Sequence, residues 1–159
     1  MSLSKGLAGE HFVCFDCLMQ DYQATIVTGQ LRYDIILSDK KTGSVYKVQV
    51  KTSTCSTTEG KSYQYVLKYM KSQKNRPAYK AKDVDLFAFV QNDLKKVAYI
   101  PFNMVVNKWK VTIHTVNYDL HTLDKALDYL RNTRTTDHIS KRKIRKSKKY
   151  FNPVDHKEN

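Results

Sequence analysis

The chain has 159 residues, 41% of them hydrophobic, with 28 Lys and Arg against 15 Asp and Glu for a net charge of +13. That length predicts one domain with a core large enough to fold without disulfides, and three cysteines, an odd number, do not suggest a disulfide framework. No apolar stretch is long enough for a membrane span and no signal peptide or lipidation motif is present, so the expected localisation is cytoplasmic.

From Ser4 to Gln20, Leu7, His11, Phe15, Leu18 and Met19 recur at helical spacing, with Ser4 as the candidate N-cap. Gly6 and Gly9 weaken this helix and would let another backbone come close. Cys14 and Cys17 fall inside it; without a second Cys or His pair they read as reduced, partly buried thiols rather than zinc ligands. Gln23 to Thr28 reads as a strand ended by Gly29. Arg32 to Ser38 and Val45 to Thr52 form a hairpin around Asp39-Lys40-Lys41-Thr42-Gly43.

The stretch from Lys61 to Lys82 carries seven basic residues and no acidic one, with Tyr63, Tyr65, Tyr69 and Tyr79 interleaved. Lys61, Lys68, Lys71, Lys74 and Arg76 are therefore candidates for neutralising phosphates, with tyrosines bonding phosphate or packing on sugars. The rival is a solvated face whose tyrosines cover the core. Val84 to Val90 is the most apolar strand candidate, headed by Asp83 and Asp85, and Lys95 to Ile100 pairs with it after the Asn92-Asp93 turn. Pro101 ends that strand, Val111 to Val116 is a further one, and Leu120, Leu123, Leu127 and Leu130 mark a late amphipathic helix. Beyond Asn132 the apolar period stops. Helix, strands, then helix is an α/β layout around a mixed sheet.

Charge is not confined to the tail. Residues 1–130 carry 18 basic against 12 acidic residues, and residues 131–159 carry 10 against 3. A body that stays basic without its tail points to a polyanionic partner, nucleic acid first. In the tail, Lys141, Arg142, Lys143, Arg145 and Lys146 open a run of seven basic residues among nine, read as an arm that reaches phosphates. No amphipathic basic helix favours a membrane surface. The histidines lack ligand spacing, and no Gly-rich phosphate loop indicates nucleotide hydrolysis.

Two short runs carry the chemistry: Tyr33-Asp34-Ile35-Ile36-Leu37 and Val48-Gln49-Val50-Lys51. Side chains alternate along a strand, so Gln49 and Lys51 share one face while Val48 and Val50 take the other. A carboxylate, an amide and an ammonium inside a sheet are costly unless they pair or hold a metal. Such an arrangement places two metal ligands beside a cation, as phosphodiester hydrolysis requires. Each residue has a structural alternative: Asp34 in an ion pair with Arg32 or Lys51, Glu10 as an exposed helix charge, Gln49 and Lys51 on a solvated edge. Asp85 reads as a local cap or pair.

The ordered set resembles the PD-(D/E)XK nuclease superfamily, whose signature is an acidic residue opening one strand and a Glu, Asp or Gln two residues before a Lys on the next. Asp34, Gln49 and Lys51 match those positions, and Lys5-Gly6-Leu7-Ala8-Gly9-Glu10 looks like the family's N-terminal helix, where Glu10 would complete the site. Gln49 departs from the commoner Glu, and in this and in size the chain is similar to bacterial group I intron-encoded homing endonucleases. The resemblance implies a restriction-endonuclease-like core, a mixed β-sheet flanked by helices, over residues 1–132, with a flexible basic arm at 133–159. It implies catalytic roles for Glu10, Asp34, Gln49 and Lys51. Asp34, Gln49, Glu10 and the Val50 carbonyl would hold Mg2+, with Mn2+ able to substitute. The implied substrate is double-stranded DNA, the assembly a homo-oligomer (dimer or tetramer) without a membrane, the origin a prokaryote, phage or organelle. The alternatives are a Holliday-junction-resolvase-like nuclease and a non-catalytic nucleic-acid-binding module.

Overall fold

The computed structural model describes residues 3–29, 31–53, 61–67, 79–106 and 108–133. Helix α1 (Leu3–Met19) leads into β1 (Gln23–Ile26), β2 (Ile35–Ser38) and β3 (Val45–Ser53). After β4 (Ser62–Val66) come β5 (Leu86–Gln91), β6 (Lys96–Pro101), the short helix α2 (Phe102–Val105) and β7 (Lys110–His114). A 3-10 turn (Thr115–Leu120) precedes helix α3, residues 123–133. The main sheet has the order β1-β2-β3-β5-β6, and β4 and β7 form a separate two-stranded sheet. Among the described residues, β3 and β5 run parallel and the other paired strands antiparallel. This is the mixed sheet flanked by helices that the sequence predicts.

Each face of the main sheet has its own apolar core. On one, Val13 and Cys17 of α1 and Leu123, Leu127 and Leu130 of α3 pack over Ile35, Leu37, Tyr46, Val48, Val50 and Val90. On the other, Tyr63 and Tyr65 of β4 and Val111 and Ile113 of β7 cover Phe87, Phe89 and Ile100. Strand β5 is buried along its whole length, as a central strand covered on both faces must be.

The stripe that makes α1 legible is not the one it buries. Gly9, Val13 and Cys17 face the sheet, whereas Leu7, His11, Phe15, Leu18 and Met19 are exposed. Gly9 permits this seating: a Cβ there would lie 2.0 Å from the Thr52 Cγ2 methyl of β3, so only a bare α-carbon lets the helix come this close. Around Gly6 a Cβ would meet nothing within 4 Å. The helix starts at Leu3, so Ser4 lies inside it rather than capping it. Burial pushes the Cys17 thiol up to about 12, and both Cys14 and Cys17 are free thiols.

The hairpin turn is built on Asp39. Its carboxylate accepts from the Lys41 N–H (2.9 Å), the Thr42 hydroxyl (2.8 Å) and Arg131 of α3 (2.7 Å). Burial alone would raise its pKa, but the bonds from Thr42, Arg131 and Lys41 outweigh that and lower it to about 2. Gly43, at φ 68°, supplies the left-handed residue that closes the turn.

Strand β4 and the basic stretch meet differently from expectation. Tyr63 and Tyr65 are buried, the first donating to Asp93 (2.6 Å), the second bonded to Tyr118. Their hydroxyls serve the core rather than a phosphate.

Candidate active site

Strand β2 stays beside β3 only as far as Ile35 opposite Val48. Asp34, the residue before it, donates its N–H to the Val48 carbonyl (2.9 Å), and its side chain then turns into the plane of the sheet. There the carboxylate accepts the Val50 N–H (2.8 Å), a ladder donor that β2 no longer reaches. The acidic residue thus sits where the sheet splits, held by backbone.

Gln49 lies against it. Its side-chain nitrogen donates to the Asp34 carboxylate and to the Val50 carbonyl (3.2 Å), and the residue is buried. One amide NH2 therefore bridges the two oxygens that the sequence nominates as metal ligands. With the amide rotated, its oxygen would take the place of the nitrogen. That donor set, all oxygens with carboxylates among them, suits a hard divalent cation. Among the described residues no cluster of three or more His, Cys, Asp and Glu forms a metal site; the arrangement relies on an amide and a carbonyl beside its acids.

Glu10 approaches from α1, one residue after the Gly9 contact. Burial raises its pKa, and the Asp34 charge raises it further. Burial likewise raises that of Asp34, against the opposing pull of the Val50 N–H, the Lys51 ammonium and Gln49. Two half-hidden carboxylates that repel one another, with acidities both weakened, form a site that gains from a cation.

Lys51 follows on the same strand face as Gln49. Its Nζ lies 5.3 Å from the centre of the Tyr79 ring, whose other cationic neighbour is Arg32 at 5.1 Å. Tyr79 in turn meets Phe87 edge-on at 5.3 Å. This ring orients Lys51, yet nothing in the local sequence marks it, because it lies 28 positions downstream with no motif of its own. Arg32 pairs with Asp83 (3.4 Å), and at Asp34 the ammonium of Lys51 opposes the effect of burial. Asp85 accepts the Lys47 N–H (2.8 Å), the local pairing expected for it.

The structure thus brings Glu10, Asp34, Gln49, Val50 and Lys51 together from α1, the head of β2 and β3. Lys61 is exposed at the start of the two-stranded sheet. Lys68, Lys71, Lys74 and Arg76, and in the tail Lys141, Arg142, Lys143, Arg145 and Lys146, lie outside the described residues.

A family model described as PD-(D/E)XK endonuclease matches residues 3–131. Among solved structures, the bacterial homing endonuclease I-Ssp6803I superposes with a TM-score of 0.63 at 20% identity, covering 86% of this chain and 99% of its own. Hjc, a Holliday junction resolvase of Archaeoglobus fulgidus, superposes with a TM-score of 0.46 at 14% identity, covering 77% of this chain and 95% of its own. Among curated proteins, none matches the chain.

Proposed function

The chain belongs to the PD-(D/E)XK endonuclease family, and from that premise we propose that it is a divalent-metal-dependent endonuclease of the homing or restriction type, acting on double-stranded DNA. The observation that carries this reading is the Gln49 amide bridging the Asp34 carboxylate and the Val50 carbonyl beside Glu10 and Lys51.

Hydrolysis of a phosphodiester needs a positioned water, relief of charge at the phosphate, and a proton for the leaving oxygen. A divalent cation, Mg2+ first and Mn2+ in its place, supplies Lewis acidity at the phosphate when bound. Asp34 and Glu10 would hold it with the Val50 carbonyl and the rotated amide oxygen of Gln49. Lys51 would orient the attacking water and offset the charge that grows on the phosphate oxygens. The centre of the Tyr79 ring lies 5.3 Å from that ammonium and limits where it can swing. Double-strand cleavage needs two such sites and one chain holds one, so a symmetric dimer or tetramer is the working form.

Supercoiled plasmid and a four-way junction, each with Mg2+ or with EDTA, test the reading. Metal-dependent nicking and linearisation of the plasmid are expected. Asp34→Ala and Lys51→Ala should abolish cleavage while DNA affinity stays within about tenfold, or roughly 1.4 kcal/mol. Robust cleavage by Asp34→Ala overturns the site assignment. Preference for the junction would move the function to resolution, and binding without cleavage would leave a nucleic-acid-binding module.

A further inference from the structure

The charged residues of helix α1, Lys5, Glu10 and Asp16, all lie off its outward side. Its inward side is buried on the sheet, yet its outward side presents Leu7 at 48% exposure, Phe15 at 58%, Leu18 at 52% and Met19 at 71%, with Leu3 preceding them. At 100° per residue these side chains and His11 occupy one continuous arc that contains no Lys, Arg, Asp or Glu. In a chain that is 27% charged, such an arc is conspicuous. A helix with apolar residues on two opposite sides has one side to bury beyond the sheet it already covers.

We infer that this outward face of α1 is the surface on which two copies of the chain associate, packing α1 against α1 across a two-fold axis near His11. The choice of occupant rests on the double-strand-cutting reading, which requires a second site. The chemistry of the arc narrows the alternatives. The arc itself holds no cation for a DNA phosphate, and Lys5 and Lys95 beside its N-terminal end are too few to form the basic flank that holds a helix on a lipid surface. Its exposed side chains amount to about 600 Å2 per copy, so a face-to-face pair would cover roughly 1,200 Å2, where specific interfaces begin.

Two-fold symmetry demands that the stripe be complementary to itself, and an antiparallel pairing meets that demand. With His11 on the axis, Leu7 faces the partner's Phe15. The partner's Met19 then falls beside Leu3 and Ser4, next to a cavity of about 330 Å3 lined by Ser4, Lys5, Ala8, Phe12, Asn92 and Lys95. The same helix carries Glu10 on its inner side, so association through its outer side would steady a carboxylate of each site.

Sedimentation equilibrium of the full chain tests this without reference to cleavage. The parent should be dimeric or larger. Phe15→Glu and Leu18→Glu, both at exposed positions, should each weaken association about tenfold or more while keeping the parental circular dichroism. The double change Leu7→Lys with Phe15→Glu should restore association, because each lysine would meet the glutamate of the other copy. A monomeric parent, unaltered association in both glutamate variants, or failure of the double change to recover overturns the inference. A dimer that cleaves no DNA would leave this interface standing and overturn the proposed function instead.

Discussion

Replacing Gln49 with Glu turns the Asp34 site into a measurable balance of charge. In the parent, the Gln49 amide gives hydrogen bonds to Asp34 and to the Val50 carbonyl, and the residue is 7% exposed. A glutamate loses both donated bonds, worth about 1 kcal/mol each. It also sets a second carboxylate against one whose pKa burial already raises. At an effective dielectric constant of about 20, two like charges about 4 Å apart repel by about 4 kcal/mol. Protonation caps that cost: keeping one Glu neutral at pH 7 requires about 3.7 kcal/mol relative to its ordinary pKa. The protonated form also returns one bond to Asp34. The net expectation is a loss of about 5 kcal/mol in EDTA at pH 7, or roughly 15 °C in Tm. The folded-state pKa of the new acid is raised, so the penalty is full above that value and fades as pH falls toward about 4.3. Added Mg2+ should recover more stability in this variant than in the parent, since one more negative charge tightens binding and stabilisation follows RT ln(1 + [L]/Kd). Cleavage should persist in Gln49→Glu and largely vanish in Gln49→Ala. Thermal and urea unfolding across pH, with EDTA or Mg2+, measure these quantities. Equal stability of Gln49→Glu and parent in EDTA, with no extra gain from Mg2+, would refute the reasoning.

Asp39→Ala should cost about 3 kcal/mol by removing a partner of Arg131 and leaving the turn donors unpaired. Its carboxyl pKa is lowered to about 2, so the parent's advantage should be complete above about pH 4 and disappear as pH falls toward 2; urea titrations at several pH values check this. Gly9→Ala sets a helix gain of about 1 kcal/mol against overpacking of up to about 3, for a net loss of roughly 2 in denaturant unfolding. Thr52→Ser, which removes the opposing methyl, should recover most of it in a double-mutant cycle. Gln91 is fully buried and its side-chain amide has no hydrogen-bond partner among the described residues, so Gln91→Met should raise stability by about 1 kcal/mol in urea. Deleting residues from Lys141 onward should weaken binding to all DNA alike and flatten the log-affinity against log-salt slope by about 0.9 per lost contact, leaving the cut position unchanged. Lys68→Ala, Lys71→Ala and Arg76→Ala together should instead lower cleavage at the preferred site more than non-specific binding; the opposite pattern in cleavage mapping would reverse the two roles.

The hairpin and its polar residues were legible because alternation in a strand is a strict rule. Once Val48 and Val50 turn inward, Gln49 and Lys51 must share the other face, and the structure has them there. The orientation of α1 was not legible, because apolar residues lie on two of its sides and periodicity cannot distinguish one apolar side from another. Gly9 decides it through steric contact with Thr52, a residue 43 positions away. Strand β4 was hidden for a different reason. Its Tyr63 and Tyr65 sit in a lysine-rich stretch, and only the partners Asp93 and Tyr118 make those hydroxyls tolerable inside. Tyr79 beside Lys51 belongs to the same class of long-range contact.

The parallel pairing of β3 with β5 also bears on how the chain is made. Glu10, Asp34, Gln49 and Lys51 have all been synthesised by residue 51, and β2 with β3 can close as a local hairpin at once. Strand β3 nevertheless keeps one open edge until β5 arrives, more than thirty residues later. Non-local closure of that kind is slow, and an open apolar edge invites pairing with other chains. The chemical groups are therefore gathered early, on a strand that becomes safe late. A nascent or truncated product ending before residue 86 would expose that edge, so yield of soluble protein should depend on how promptly β5 is delivered to it.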